Sequence, residues 1–209
     1  MRLTSTAFHD GQRIPGEFAF CVVDPAAHVR LGDNVNPDLA WSDLPPETKS
    51  LALICHDPDV PSRGDDVNKE RRTVPVALPR VDFYHWVLID LPANTLPIAR
   101  GEFSRGVTPR GKPGPQAPRG ARQGLNDYTK WLAGDKDMAG NYFGYDGPCP
   151  PWNDERVHRY IFTLYALETP RVAVRGNFGG PDVLVAIAGQ VLAQASIAGV
   201  YSLNPSVRI

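Results

Sequence analysis

Two histidines, two aspartates and a tyrosine sit where short extended runs of this chain begin or end, and their types can donate, accept or carry charge at the rim of a pocket. His85 lies near the entry of Phe83-Tyr-His-Trp-Val-Leu-Ile-Asp-Leu91, and His158 precedes the phenol of Tyr160 by two residues. Strand alternation places Phe83, His85, Val87 and Ile89 on one face, with Tyr84, Trp86, Leu88 and Asp90 on the other. It likewise groups His158, Tyr160, Phe162 and Leu164, so both imidazoles can line one rim. Asp57-Pro-Asp-Val-Pro-Ser62 reads as a sharp turn leaving an apolar strand, with two prolines stiffening the presentation of Asp57 and Asp59. It serves equally well as plain structural punctuation. Gly144-Tyr-Asp-Gly-Pro-Cys-Pro-Pro-Trp152 is a stiff bend just ahead of His158, where Pro150 and Pro151 would preform a pocket wall that loses little entropy on capture.

A phosphate-type anion, the ligand class implied by the family resemblance set out below, carries about -1.5 to -2 charges as a monoester at neutral pH and needs donors, which His85, His158, Tyr160 and backbone N–H groups of the bend can supply. The aspartates have the wrong sign. An unpaired carboxylate about 4 Å from such an anion costs roughly 4 kcal/mol at an effective dielectric near 20. Asp57 is therefore read as orienting an imidazole, and Asp59 as lying nearer a ligand's cationic end; protonation of one of them is the other option. Catalysis is the competing class, either a small hydrolase or a lyase using the His/Asp cluster. No nucleophile accompanies the histidines: GxSxG is absent, Cys149 sits between prolines, and no Gly-rich phosphate loop occurs. A metal site from His56, Asp57, His85 and His158 fails on alternation, because His56 and Asp57 project from opposite faces. The expectation is thus a binding protein with no catalytic residue, no metal and no cofactor.

The elements that must hold these groups are short. Twenty-one prolines and 19 glycines among 209 residues leave little room for long helices. Runs rich in β-branched and aromatic residues at 18–23, 50–56, 83–91 and 159–167 read as strands of a largely antiparallel sheet. Residues 183–198 are free of charge, and Val183, Ile187 and Val191 recur at helical spacing, so a buried amphipathic helix is expected there. Gly189, Gln190, Gln194 and Ser196 break it up too much for a membrane span. Short helical turns are expected at 127–132. Residues 62–82 carry five basic and four acidic groups and read as a long surface loop. Residues 100–122 carry six basic groups against Glu102 alone and are read as a solvated loop rather than a basic arm, since stacking aromatics are missing.

A net charge of -1, with 42% hydrophobic and 22% charged residues, fits one globular domain over 1–209 and offers no field for a nucleic-acid backbone. Cys21, Cys55 and Cys149 form no CxxC pair and leave an odd count, which argues against a disulfide framework and for a reducing compartment. His9 and Asp10 fall where a signal peptide needs apolar residues, so the cytoplasm is expected.

Taken in order, Asn36-Pro-Asp-Leu-Ala-Trp41, Asp57-Pro-Asp-Val-Pro-Ser62, Tyr84-His-Trp86 and Gly147-Pro-Cys-Pro-Pro151 followed by His158-Arg-Tyr160 resemble the phosphatidylethanolamine-binding protein family, in its prokaryotic Raf-kinase-inhibitor-like branch. The resemblance spans nearly the whole chain. It implies a mainly β fold, a large antiparallel sheet packed on a smaller one, with peripheral helices including one near the C-terminus. It also implies a small rim pocket for an anionic, phosphate- or phosphoethanolamine-like group. Carried over by motif, the pocket residues are Asp57, Asp59, His85, Pro150, Pro151, His158 and Tyr160, with Tyr201 a weaker candidate. Eukaryotic relatives are associated with kinase regulation, which permits an inhibitor-like role on a protein partner. The uncharged terminal helix would allow two copies to pair. Residues 62–82 are longer than many members have between the acidic turn and the histidine, which bears on access to the pocket.

Overall fold

The computed structural model describes all 209 residues. Its centre is a five-stranded antiparallel sheet in the order β7-β6-β5-β8-β9. The strands are β5 (Ser50–Pro61), β6 (Arg80–Pro92), β7 (Arg122–Gln123), β8 (His158–Leu167) and β9 (Val191–Tyr201). Two small antiparallel pairs lie apart from it: β1 (Arg2–Thr4) with β4 (Ala40–Ser42), and β2 (Cys21–Asp24) with β3 (His28–Leu31). Helix is confined to α1 (Tyr128–Trp131), α2 (Gly180–Ile187) and two 3-10 turns. No helix is long and apolar enough to cross a membrane. The mainly β architecture with peripheral helix is as expected.

Alternation decides the core. Leu51, Leu53 and Cys55 of β5 join Phe162 and Leu164 of β8 on one side, against Phe8, Ile14, Phe18, Leu39 and Tyr145 from the connecting segments. Ala52 and Ile54 face the other way with Val87 and Ile89 of β6, and there α2 covers them through Val183 and Ile187.

Four local expectations are corrected. The Asp57-Pro58-Asp59 motif does not leave the sheet: β5 runs on to Pro61, because Asp57 pairs with Phe83 and Val60 with Val81, the extra residue being absorbed as a bulge. Alternation also breaks at His85. His56 pairs with Tyr84 and Cys55 with Trp86, leaving His85 unpaired in a bulge that turns its ring to the Trp86 side rather than the Val87 side. The helix expected over 183–198 ends at Ile187, because Gly189 takes φ +80° and the chain then reads as strand, Val191 to Tyr201 pairing with β8. Finally, Cys21 and Cys149 form a disulfide, leaving Cys55 as the free cysteine. The partners are 128 residues apart, so no local motif announces them, and the odd count conceals one bridge plus one buried thiol. The pairing removes the premise for a reducing compartment, since disulfides persist mainly in oxidising ones.

Candidate functional site

A cavity of about 270 Å³ opens where the outer ends of β5, β6 and β8 meet the Pro-rich bend. Asp57, His85, Pro150, Pro151, His158 and Tyr160 all line it, so six of the seven sequence candidates converge. Asp59 does not line it. Its carboxylate turns to Arg156 (3.1 Å) and to Arg159 (2.7 and 3.1 Å), and although burial opposes ionisation, these guanidinium groups hold its carboxyl below the usual range. Already doubly paired, it has no charge to offer a ligand. Tyr201 lies in the core and donates from its hydroxyl to the Cys21 carbonyl (3.0 Å).

The floor is a buried chain of alternating charges. His158 is fully buried, with Nδ1 2.7 Å from Asp57 Oδ2 and Nε2 3.1 Å from Asp154 Oδ2. Asp154 in turn receives both terminal nitrogens of Arg80, at 2.5 and 3.0 Å. Burial works against charge on this imidazole, but the two carboxylates outweigh it and raise its pKa to about 9. Two acids against two cations leave the floor balanced. The other Asp57 oxygen accepts the Asp59 N–H at 2.8 Å, and the Tyr160 phenol lies beside the same carboxylate. The expectation that Asp57 orients an imidazole fits this geometry. The expectation that His158 donates to a ligand does not, because a carboxylate occupies each of its nitrogens.

His85 is held in another way. The bulge sets its ring among Phe83, Tyr128 and Tyr160, at centroid distances of 4.8, 5.6 and 5.0 Å. Nδ1 donates to the Asp146 carbonyl at 2.7 Å, and Nε2 has no partner within the chain. Burial holds its pKa below the ordinary histidine value, so the ring is neutral near pH 7, with a bare nitrogen at the cavity.

Asp146 explains why that ring stays fixed. Its fully buried carboxylate accepts from Asn34 and Asn126, both at 2.7 Å, and from Lys112 at 3.0 Å. The Lys112 ammonium also donates to the Tyr145 carbonyl, and burial depresses its pKa. Much of the basic 100–122 segment is likewise internally paired, Arg119 with Glu102 and Arg122 with Asp90.

Two walls complete the cavity. Gly147 opens the Pro-rich bend at a point where a Cβ would fall 2.0 Å from the Phe18 carbonyl oxygen, so only glycine fits. Beyond it Cys149 is bonded to Cys21 of β2, and the Tyr128 hydroxyl donates to the Gly147 carbonyl at 2.8 Å. Ser62, Arg63, Gly64, Val67 and Asn68 form a second wall, so the 62–82 segment, a largely exposed loop until Arg80 enters β6, also shapes the pocket. Asn153 ties it down: its amide donates to the carbonyls of Asp66, Lys69 and Arg72, and its oxygen accepts the Asn68 N–H.

Sequence reasoning passed over Asp154, Asp146, Asn153 and Tyr128. Asp154 had a signal, an acid four residues ahead of a candidate histidine. Asp146 stood inside a quoted motif, whereas nothing in the sequence marked Asn153. No group of three or more His, Cys, Asp or Glu side chains is arranged to hold a metal ion.

The family model described as phosphatidylethanolamine-binding protein matches residues 4–202. Among similar sequences, the UPF0098 protein of Methanothermobacter thermautotrophicus is 33% identical over 96% of this chain and 98% of its own length. The UPF0098 protein YbhB of Escherichia coli is 31% identical over 97% of this chain and all of its own. Among solved structures, Escherichia coli YbcL, described as a new member of the mammalian PEBP family, superposes with a TM-score of 0.67 at 26% identity, covering 96% of this chain and 97% of that one.

Proposed function

The chain belongs to the phosphatidylethanolamine-binding protein family, and from that premise we propose that it is a non-catalytic binding protein whose pocket takes a small phosphate-type anion, free or as the end of a larger molecule. One observation carries the reading. On a floor where both Asp57 oxygens, both His158 nitrogens and the Asp154 carboxylate are engaged, His85 Nε2 is the ring nitrogen left open to the cavity, with the Tyr160 hydroxyl as a further polar group there. An arriving anion favours protonation of that nitrogen and receives its proton as a charge-assisted hydrogen bond. The paired floor removes the repulsion that a naked Asp57 would exert. The Cys149 N–H, flanked by prolines that have none, makes no hydrogen bond within the chain and supplies a second donor at the wall. The exposed Arg63 guanidinium stands at the mouth, 3.5 Å from Asp65, with which it forms a solvent-exposed ion pair. A cavity near 270 Å³ falls just under the range for drug-sized ligands and suits a single headgroup.

Hydrolysis draws less support from the same geometry. His158 has no free lone pair with which to act as a base, and the Cys149 sulfur is held in a disulfide.

Calorimetric titration with inorganic phosphate and with phosphoethanolamine tests the proposal on wild type and His85→Asn, from about pH 5.5 to about 8.5. The Asn amide keeps the Asp146 contact and removes the open nitrogen. Affinity in the wild type is expected to strengthen as pH falls, because binding takes up a proton, and to be lost in the variant. Equal affinity in the two proteins refutes the assignment.

A further inference from the structure

Cys149 lines the cavity and is only partly buried, whereas its disulfide partner Cys21 is 6% exposed and packed in the core. The more exposed half of the bridge is therefore the one in the pocket wall, so an attack on it would come through the pocket. The bridge is also the covalent member of a clasp. The β2–β3 hairpin carries His28, which stacks on Trp152 at 3.8 Å between ring centroids and meets Glu70 at 2.7 Å. The Trp152 N–H donates to Asn68, which lines the second wall. One disulfide thus joins the hairpin to the Pro-rich bend, and through Trp152 and Asn68 to the long loop. The Cys21 N–H to Pro148 carbonyl bond and the Tyr128 to Gly147 bond do not depend on it, so the bend stays attached when the bridge opens.

We propose that the Cys21–Cys149 bridge is a redox control on the pocket: a small dithiol that enters the cavity attacks Cys149, and the reduced protein holds the anion more weakly. This rests on the anion-binding reading above. In the first step a thiolate of the dithiol bonds to Cys149 Sγ, the bond to Cys21 breaks, and Cys21 leaves as a thiolate that takes a proton. The second thiol of the reagent then closes on its own sulfur and expels Cys149 as a thiolate. The protein gains two electrons and the dithiol is oxidised to a cyclic disulfide. Occupancy and redox state are linked in both directions: if oxidation tightens anion binding, bound anion must favour the oxidised form by the same factor. An anion in the cavity also stands in the path of the attacking thiolate.

The test uses the full-length protein oxidised, reduced with dithiothreitol, and as Cys21→Ser, with inorganic phosphate as the probe. Phosphate affinity is expected to fall at least about fivefold on reduction and in the variant. Saturating phosphate is expected to slow the appearance of alkylatable Cys21 and Cys149, followed by mass spectrometry. A ligand-free readout runs beside these: amide hydrogen exchange at Trp152 and Asn68, whose N–H groups hold the bend and the long loop to each other, is expected to rise on reduction. Unchanged exchange, or equal affinity in the oxidised and reduced proteins, overturns the proposal. If exchange rises but the oxidised protein binds no phosphate, the anion reading fails while redox control of the wall stands.

Discussion

His85 and His158 reach the same cavity from adjacent regions of one sheet, yet the chain treats the two imidazoles oppositely. His158 enters from β8 between two carboxylates and is held as a buried cation. His85 enters from a bulge in β6, gives its one N–H to a backbone carbonyl, and is held neutral by burial. One ring is a structural charge that keeps the floor together. The other is a site with an open valence. The difference lies in what each ring's second nitrogen meets, Asp154 in one case and the cavity in the other, so residue type alone does not assign a role.

The comparison breaks most visibly at Asp154. Removing its carboxylate leaves the buried Arg80 without an acid and His158 with Asp57 alone, so Asp154→Ala is expected to cost about 3–5 kcal/mol in urea unfolding. A loss below about 1 kcal/mol would mean that the buried charge chain does not hold the floor.

Next in size is a pH dependence that only one of the two rings can produce. The folded pKa of His158, about 9, lies above the unfolded value near 6.5. Its contribution is therefore complete below about pH 6.5 and drains away as pH rises through about 9, roughly 3 kcal/mol in all. His85 carries the opposite sign. With its folded pKa depressed, its contribution is complete above about pH 6.5 and is lost on acidification. Asp154→Asn should flatten the alkaline decline, and, because His158 and Arg80 hold the Asp154 carboxyl below its usual range despite burial, it should also remove part of the loss below about pH 4, as read by unfolding free energy against pH.

Asn153→Ala sharpens the contrast between floor and wall. It unties three carbonyls of the long loop without touching either histidine, so a loss of about 1–3 kcal/mol is expected, with faster amide exchange confined to 66–72. The smallest stability effect belongs to His85→Asn, about 1 kcal/mol, because the Asp146 contact is preserved. Circular-dichroism melting checks this, and a large drop there would make His85 a structural residue after all.

The strands were legible because their apolar patterns are local: 50–56, 83–91 and 159–167 fall within β5, β6 and β8. Legibility failed wherever one residue too many entered a strand. The bulge at His85 reversed the face read from alternation, and the bulge after Asp57 turned an apparent loop into continued strand. Gly189 ended a helix that hydrophobic spacing alone would have prolonged, because Val, Ile and Ala satisfy a strand's period as readily as a helix's. At the candidate site, types and motifs named residues that do line one cavity, but pairing decides which of their polar atoms stay free. The Asp154 that occupies His158 was signalled only by its place four residues ahead, whereas the Arg partners that take Asp59 out of play are matters of distance. The disulfide was hidden for the same reason, by a separation of 128 residues.

The asymmetry of the two imidazoles is tested most directly by 15N NMR of histidine-labelled protein while phosphate is added near pH 7. The account predicts that His85 Nε2 passes from unprotonated to protonated as the pocket fills, while both His158 nitrogens stay protonated throughout. Phosphate-induced change at His158 with His85 unmoved would contradict it.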